Sequence, residues 1–583
     1  MPQFAIGERD FLLDGRPVQL ISGALHYFRV HPGQWADRLA KARMMGLNTV
    51  ETYVPWNAHA PEPGEFRLDG GLDLPRFLAL AAAHGLHAIV RPGPYICAEW
   101  DNGGLPGWLT RDPAIRLRSS DPRFLDAVAG YFDRLLPVLA AAQVTRGGPV
   151  LAVQVENEYG AYGDDSGYLR ALVGMLRRGG IDVPLFTCDQ ADDTMLARGG
   201  LPDVHRTGNF GGHVTERLAV LRRQQPTGPL MCAEFWNGWF DHWGGAHHTT
   251  PAAESARALD ELLSAGASVN VYMLHGGSNF GLGNGANHKG VYRPTVTSYD
   301  YDAPLSEAGD PTEKYAAYRE VIARYAPVPE LAPQPAGPAP AFPVRATATA
   351  PLLGHLDRLA TRTDHDRAPT MDEAGQYRGF VLYRTTLAAA GPQVLTVGEV
   401  RDRAQVLVDG VPAGVLSREF HDTSLAVAPN RPDAVLDLLV EDQGRVNYGP
   451  RIGEHKGLIG PVAVDGAELR GWQVYRIDLD AHAGLPFTPS DAAVLGPAFH
   501  SGEFEVGGPV DLHLALPGWT KGVAWVNGFC LGRYWRRGPQ RTLYVPGPVV
   551  RAGRNRVTVL ELESARRPEW EFRPGPDAGP TEE

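Results

Sequence analysis

"VLAVQVENEYGAYG", residues 150–163, runs like a buried strand and then ends in two glutamates. Val150, Leu151, Val153 and Val155 are the aliphatic and β-branched residues that suit an enclosed, pleated position. Glu156, Asn157 and Glu158 follow, then Tyr159 and Gly160. A carboxylate is costly to bury unless it is paired or hydrogen-bonded, so this strand end must supply partners, or a use, for both.

Seven other runs of the same kind surround it. They are "VQLISGALHY" (18–27), "NTVETYVPW" (48–56), "HAIVRPGPYI" (87–96), "VPLFTCD" (183–189), "HRTGNF" (205–210), "PLMCAEF" (229–235) and "SVNVYMLHGG" (268–277). Helical patterns lie between them. In "PGQWADRLAKARMMG" (32–46), Trp35, Leu39 and Met45 fall roughly on one face, and "LPRFLALAAAHG" and "DPRFLDAVAGYFDRLLPVLAA" share the 3.6-residue character. Strands alternating with crossover helices imply parallel βα units, and eight of them imply a closed (β/α)8 barrel. A doubly wound open sheet is the competing architecture, but no GxGxxG follows the first strand.

"APVPELAPQPAGPAPAFPV" (326–344) is Pro/Ala-rich and cannot continue a helix or enter a central strand. Beyond it come short β runs such as "YRGFVLYRTTL", "AVLDLLVED" and "NRVTVLELE". The pairs Asp409-Gly410 and Asn527-Gly528 are tight hairpin signals. "VLVDGVPAGVL" and "AWVNGFCLGRY" resemble each other, which reads as one β-sandwich topology used twice. The expected class is therefore α/β plus all-β. A TIM barrel over 1–325 precedes a linker over 326–350, all-β domains over 351–470 and 471–572, and a disordered tail over 573–583.

Composition limits the partners. The chain has 583 residues, too many for one core, with 43% hydrophobic and 21% charged residues. Net charge is -12 with no Lys/Arg block, which argues against nucleic acid or an anionic membrane. Glu8, Arg9 and Asp10 interrupt any early apolar run, and no span of about 20 apolar residues occurs. The four cysteines, Cys97, Cys188, Cys232 and Cys530, are scattered as reduced thiols would be. A cytoplasmic protein fits this.

In a barrel, chemistry occurs where the loops after the strands meet over the axis. The second strand ends in Tyr53, Trp56 and Asn57, and the third runs into Glu99, Trp100, Asp101 and Asn102. The fourth supplies Asn157 and Glu158, and the seventh supplies Glu234 amid Trp236, Trp239, Asp241 and Trp243. Two carboxylates across an aromatic-lined cavity is the arrangement that glycoside hydrolysis needs. Any one of these glutamates alone equally suits a rim salt bridge. His242, His247 and His248 cluster without a metal-ligand pattern.

"QVENEYG", "CAEWDNGGLPGW", "AEFWNGWFDHWGG", "HGGSNFG" and "TSYDYDAPLSEAG" together resemble glycoside hydrolase family 35, the β-galactosidases. The resemblance extends to "GALHYFR", "ETYVPWN", "GRVNYGP" and "VNGFCLGRYWRRGPQRTLYVP", and so covers nearly the whole chain. It implies jelly-roll, galactose-binding-like folds for the β domains and a place in carbohydrate metabolism. Glu158 becomes the general acid/base and Glu234 the nucleophile. Galactose contacts fall on Tyr53, the backbone at Cys97 and Ala98, Glu99, Asn157 and Tyr301. Cys97 is then a pocket wall without chemistry of its own. Where the family commonly shows Asn-x-His-Glu-Pro, this chain has "NAHAP", with Ala60 in the glutamate's place. That puts a local rim contact in question rather than the reaction.

With the resemblance in hand, Glu156 is placed one pleat deeper than Glu158, on the same face if the strand stays regular, and hydrogen-bonded beneath the site. The charge of Glu234 should raise the pKa of Glu158 and keep it protonated as an acid. Two displacements then retain the anomeric configuration, with the carboxyl groups about 5 to 5.5 Å apart and neither metal nor cofactor required. Trp236 and Trp239 are expected to form a platform for the departing sugar, with Tyr448 reaching in from the β domains. The substrate expected is a galactoside oligosaccharide, with β-1,3 linkage preferred from the short chain without a secretory segment and the paired tryptophans. The C-terminal domains shape the rim or make a homodimer contact. Two rivals remain: an exo-glycosidase of the same scaffold for another sugar, such as β-glucosamine, and a non-catalytic carbohydrate-binding protein.

Overall fold

The computed structural model describes residues 2–581. Eight parallel strands close into a barrel: β1 (Ile21–Leu25), β2 (Thr49–Tyr53), β3 (His87–Arg91), β4 (Val150–Gln154), β5 (Leu185–Gln190), β6 (His205–Asn209), β7 (Met231–Trp236) and β8 (Ser268–His275). Every expected strand is present, including the short "HRTGN" run. Enclosure on both faces explains why β1, β2, β4 and β8 are buried along their whole length. Helices α1 (Trp35–Met45), α2 (Leu74–Ala83), α3 (Pro122–Ala141) and α4 (Ser166–Arg178) stand among those outside the ring. On α1 the expected face is the buried one, with Trp35, Leu39 and Met45 all inside. Among the described residues no helix is long and apolar enough to cross a membrane.

Two sandwiches follow, and each pairs a six-stranded sheet with a four-stranded one. In both, a two-residue hairpin ends the six-stranded sheet: 403–408 with 411–417, and 521–526 with 529–535. Asp409-Gly410 and Asn527-Gly528 all take positive φ, as a type I′ turn demands. The two six-stranded sheets share a further apolar cluster that includes Phe380, Leu439, Phe499 and Trp525.

Three boundaries differ from the expected ones. Phe342–Arg345 and Ala348–Pro351 are strands of the last sandwich rather than linker. Pro343 is tolerated there because its strand lies at a sheet edge. Trp472–Ile477 pairs with Phe380–Leu387 and buries Trp472 and Val474 in the first sandwich, so that domain extends past 470. The expected disordered tail is instead held down. Arg573 is ion-paired to Asp577 at 2.7 Å, and the Pro580 carbonyl accepts the His247 N–H of the barrel at 2.7 Å. Residues 582 and 583 lie outside the described part.

Barrel and first sandwich are joined by buried charge. Lys456 Nζ lies 2.5 Å from Asp402 and 3.3 Å from Asp442, all three fully enclosed. Arg418 pairs with Asp402 at 2.9 Å, and Tyr292 of the barrel domain donates to Asp402 at 2.8 Å. Removing one partner of such a group strands the others in a dry environment. Lys456→Met is expected to cost about 3–5 kcal/mol, read as a lowered unfolding midpoint in denaturant. An unchanged midpoint would show that the two aspartates do not need the ammonium.

Candidate active site

Three strand ends converge on Glu234. Its Oε1 accepts from the Tyr53 hydroxyl at 2.6 Å and pairs with Arg91 Nη2 at 2.7 Å, while its Oε2 accepts from the Trp236 indole at 3.0 Å. Tyr53, Arg91 and Trp236 are the last residues of β2, β3 and β7. Arg91 also donates to Asn157 Oδ1 at 2.6 Å and lies 4.0 Å from the Tyr53 ring centroid. Below it, Glu51 lies 3.7 Å from Arg91 Nε and accepts from Asn270 at 3.1 Å. Burial pushes the Glu51 carboxyl up to about 7, against the pull of Arg91.

Strand β4 stops at Gln154 because the chain then turns left-handed, with φ of 57° at Glu156 and 45° at Glu158. This breaks the alternation assumed for the two glutamates. Glu156 does not lie beneath the site. It accepts from Arg118 Nε at 2.9 Å and Nη2 at 2.7 Å, and from Tyr168 of the outer helix α4 at 2.9 Å. Glu158 remains at the barrel mouth, accepting from Asn209 Nδ2 at 3.0 Å, while its N–H donates to the Cys188 carbonyl at 2.9 Å. Burial first, and the charge of Glu234 second, push its carboxyl up to about 7.

A second left-handed turn occupies Cys97, Ala98 and Glu99. Arg29 donates to the Ala98 carbonyl and lies 3.8 Å from the Tyr299 ring centroid. Tyr299 donates to Glu99 Oε2 at 2.5 Å, and Asn447 lies 3.4 Å from Oε1. Burial raises the Glu99 carboxyl to about 7, opposed by the Tyr299 hydrogen bond and Arg29.

Glu158, Glu234, Cys97, Ala98, Glu99, Asn157, Trp236, Trp239 and Tyr301 line one cavity of about 270 Å³. Tyr53, the tenth residue singled out, sits behind Glu234 and holds it. Tyr448 enters from the first sandwich, lines the same cavity and takes a hydrogen bond from Gln190 at 3.1 Å. The tryptophans divide their work. Trp236 holds Glu234, whereas Trp239 is 38% exposed at the rim and stacks on Phe240 at 4.9 Å. Ala60 does not line the cavity, and its carbonyl takes the Trp108 indole at 3.0 Å. His247 is bonded to Asp241 at 2.7 Å, and His242 lies 3.2 Å from Asn287.

Sequence reasoning passed over Arg91, Asn209, Asn447 and Tyr272, the last of which also lines the cavity. Arg91 and Asn209 end barrel strands, so the rule that found Glu158 and Glu234 could have found them. Tyr272, inside an apolar run, reads as core. Asn447 comes from another domain and carried no local signal.

A family model described as "Glycosyl hydrolases family 35" matches residues 10–325. The chain belongs to that family. Models described as "Beta-galactosidase, first all-beta domain" and "Beta-galactosidase, galactose-binding domain" match residues 369–478 and 497–555. A mouse protein named "Beta-galactosidase" is 44% identical over 591 residues, covering 95% of this chain and 90% of its own length. One from Xanthomonas manihotis is 44% identical over 557 residues, covering 93% and 91%. The human protein of the same name is 43% identical, covering 95% and 86%. This chain is a glycoside hydrolase, which sets aside the non-catalytic sugar binder.

The field at Glu158 can be tested directly. Glu234→Gln removes the second-largest cause of its raised value and leaves the first, burial. The Glu158 carboxyl is then expected to titrate below 7, part of the way back toward 4.5, in a carboxyl-region infrared or carbon-13 titration. No change would mean that burial alone sets it.

Proposed function

We propose that this enzyme is a retaining exo-β-galactosidase that releases terminal, non-reducing β-D-galactose by double displacement. The observation that carries the reading is a matched pair of carboxyls on one cavity. One accepts hydrogen bonds from a tyrosine and a tryptophan and is ion-paired to an arginine. The other is pushed up to about 7 and held by a neutral amide.

In the first step Glu234 Oε attacks the anomeric carbon as the bond to the leaving oxygen breaks, and Glu158 gives that oxygen its proton. The ester so formed no longer carries the negative charge of Glu234, so the Glu158 value falls and its carboxylate can take a proton from water. Water then attacks the anomeric carbon, Glu234 leaves as carboxylate, and two inversions retain the configuration. Glu99 and Asn157 offer oxygen and nitrogen atoms to sugar hydroxyls, the Cys97–Ala98 backbone forms a wall, and Tyr301 offers an aromatic face.

The finer reading prefers β-1,3 linkages, supported by Trp236 and Trp239 set edge to face 5.9 Å apart on the cavity wall. Four unpaired thiols, three of them buried, suit the cytoplasm. A homodimer contact has support in Val411 and Phe420 of the first sandwich, each 66% exposed.

The test is release of galactose from β-1,3-, β-1,4- and β-1,6-linked galactosides, with the first-formed anomer followed by proton NMR. Release as the β-anomer is expected, reduced about 10⁴-fold or more in Glu234→Gln. Trp239→Ala is expected to alter the ranking of linkages. Release of another sugar instead of galactose would assign the same scaffold to that sugar. The pH dependence has a fixed sign. Glu158 must be protonated to act as an acid, so kcat/KM should fall as pH rises through about 7. A profile that keeps rising beyond pH 8 would remove Glu158 from that role.

A further inference from the structure

Glu158 owes its place to a turn that the backbone does not favour, and the turn is held from outside the barrel. Glu156 and Glu158 both have positive φ, a region that bulky L-residues avoid. Beside them lies Arg118, itself at φ 49° and only 2% exposed. Its Nε and Nη2 grip both oxygens of Glu156 at 2.9 and 2.7 Å, and Nη2 also donates to the Asn157 carbonyl at 2.7 Å. Glu156 Oε2 turns back to accept the Asn157 N–H at 2.5 Å. The guanidinium lies 3.6 Å from the Tyr95 ring centroid and 4.3 Å from that of Tyr162, so it has no room to swing. The carbonyl of the peptide that enters Glu158 is therefore bonded directly to this planar cation, and the Asn157 N–H is tied to it through the Glu156 carboxylate.

We propose that Arg118 and Glu156 are positioning residues for the proton transfer to the leaving group. They act through the 156–158 turn and touch no substrate. The fork fixes where Glu158 Oε sits relative to the departing oxygen, and a misplacement of about 1 Å can cost 10²-fold in rate. A lysine could supply the charge but neither the fixed two-pronged fork nor the plane that the two tyrosines clasp. This inference rests on the reading of Glu158 as the acid.

The experiment compares two leaving groups in kcat/KM, which reports the first displacement. A galactosyl disaccharide must have its leaving alkoxide protonated, whereas 2,4-dinitrophenyl β-D-galactoside expels a phenolate that needs no proton. Glu158→Ala sets the reference pattern, a large loss on the disaccharide and a small one on the aryl galactoside. Arg118→Lys and Glu156→Gln are expected to follow it, losing about 10²-fold on the disaccharide while the aryl galactoside changes little. Their alkaline pH limb should also move on the disaccharide. Arg118→Lys keeps the charge count and serves if Glu156→Gln does not fold.

If Glu158→Ala loses both substrates alike, the acid assignment itself fails and the inference goes with it. If Glu158→Ala is selective but the folded clamp variants lose both substrates equally, or neither, the clamp is structural only and the proposal is overturned.

Discussion

One guanidinium organises the base of this site. Arg91 is 1% exposed, and it faces two carboxylates, Glu234 at 2.7 Å and Glu51 at 3.7 Å, besides the Asn157 amide. Buried charges are tolerated only when paired and hydrogen-bonded, so the cation and its anions must be placed together or not at all. Tyr53 lies against the guanidinium while its hydroxyl reaches Glu234. Strands β2, β3 and β7 are thereby committed to one register at their C-terminal ends, because a slip of one residue would turn Tyr53, Arg91 or Glu234 out of the barrel.

The barrel does not finish the cavity alone. The first sandwich sends in residues 444–448 immediately after the strand Ala434–Glu441. Asp442 lies 3.3 Å from the buried Lys456, the Arg445 N–H donates to Asp101 at 2.8 Å, and Arg445 pairs with Asp372 at 3.0 Å. These anchors deliver Asn447 to Glu99 and Tyr448 to the cavity wall. Desolvating so many charges is unfavourable unless each is matched, which makes the loop an all-or-none insertion rather than a flap. The sandwiches thus belong to the site as much as to the fold.

What could be read from the sequence follows from what is local. Eight apolar runs separated by helical patterns pointed to the barrel, and polar residues at the ends of those runs pointed to Glu234 and to the pair Glu156 and Glu158, between which only the family resemblance chose. The Asp-Gly and Asn-Gly turns located the hairpins because their backbone demand is intrinsic. Glu156 was misplaced because strand alternation was extended past Gln154, where two left-handed residues undo it. The tail was expected to be free because proline and glycine say nothing of a distant partner such as His247. Asn447 lies some 350 positions from the carboxylate it meets, and a single sequence carries no trace of such a meeting.

The two turns that face the cavity share one construction. Residues 97–99 and the 156–158 turn both use positive φ on residues other than glycine, each such residue costing about 1–3 kcal/mol relative to relaxed backbone. Each turn presents a carbonyl, Ala98 or Asn157, to an arginine from a different loop, Arg29 or Arg118. Each arginine is packed on a tyrosine, Tyr299 at 3.8 Å or Tyr95 at 3.6 Å. Hydrogen bonds to charged donors in a dry setting are strong enough to hold such turns, and a stacked guanidinium cannot relax away from them. A glycine would adopt the same φ with less strain, but it would bring no carboxyl. Glu99 and Glu158 thus reach the cavity from positive-φ positions, and the bonds from Arg29 and Arg118 help to hold both turns.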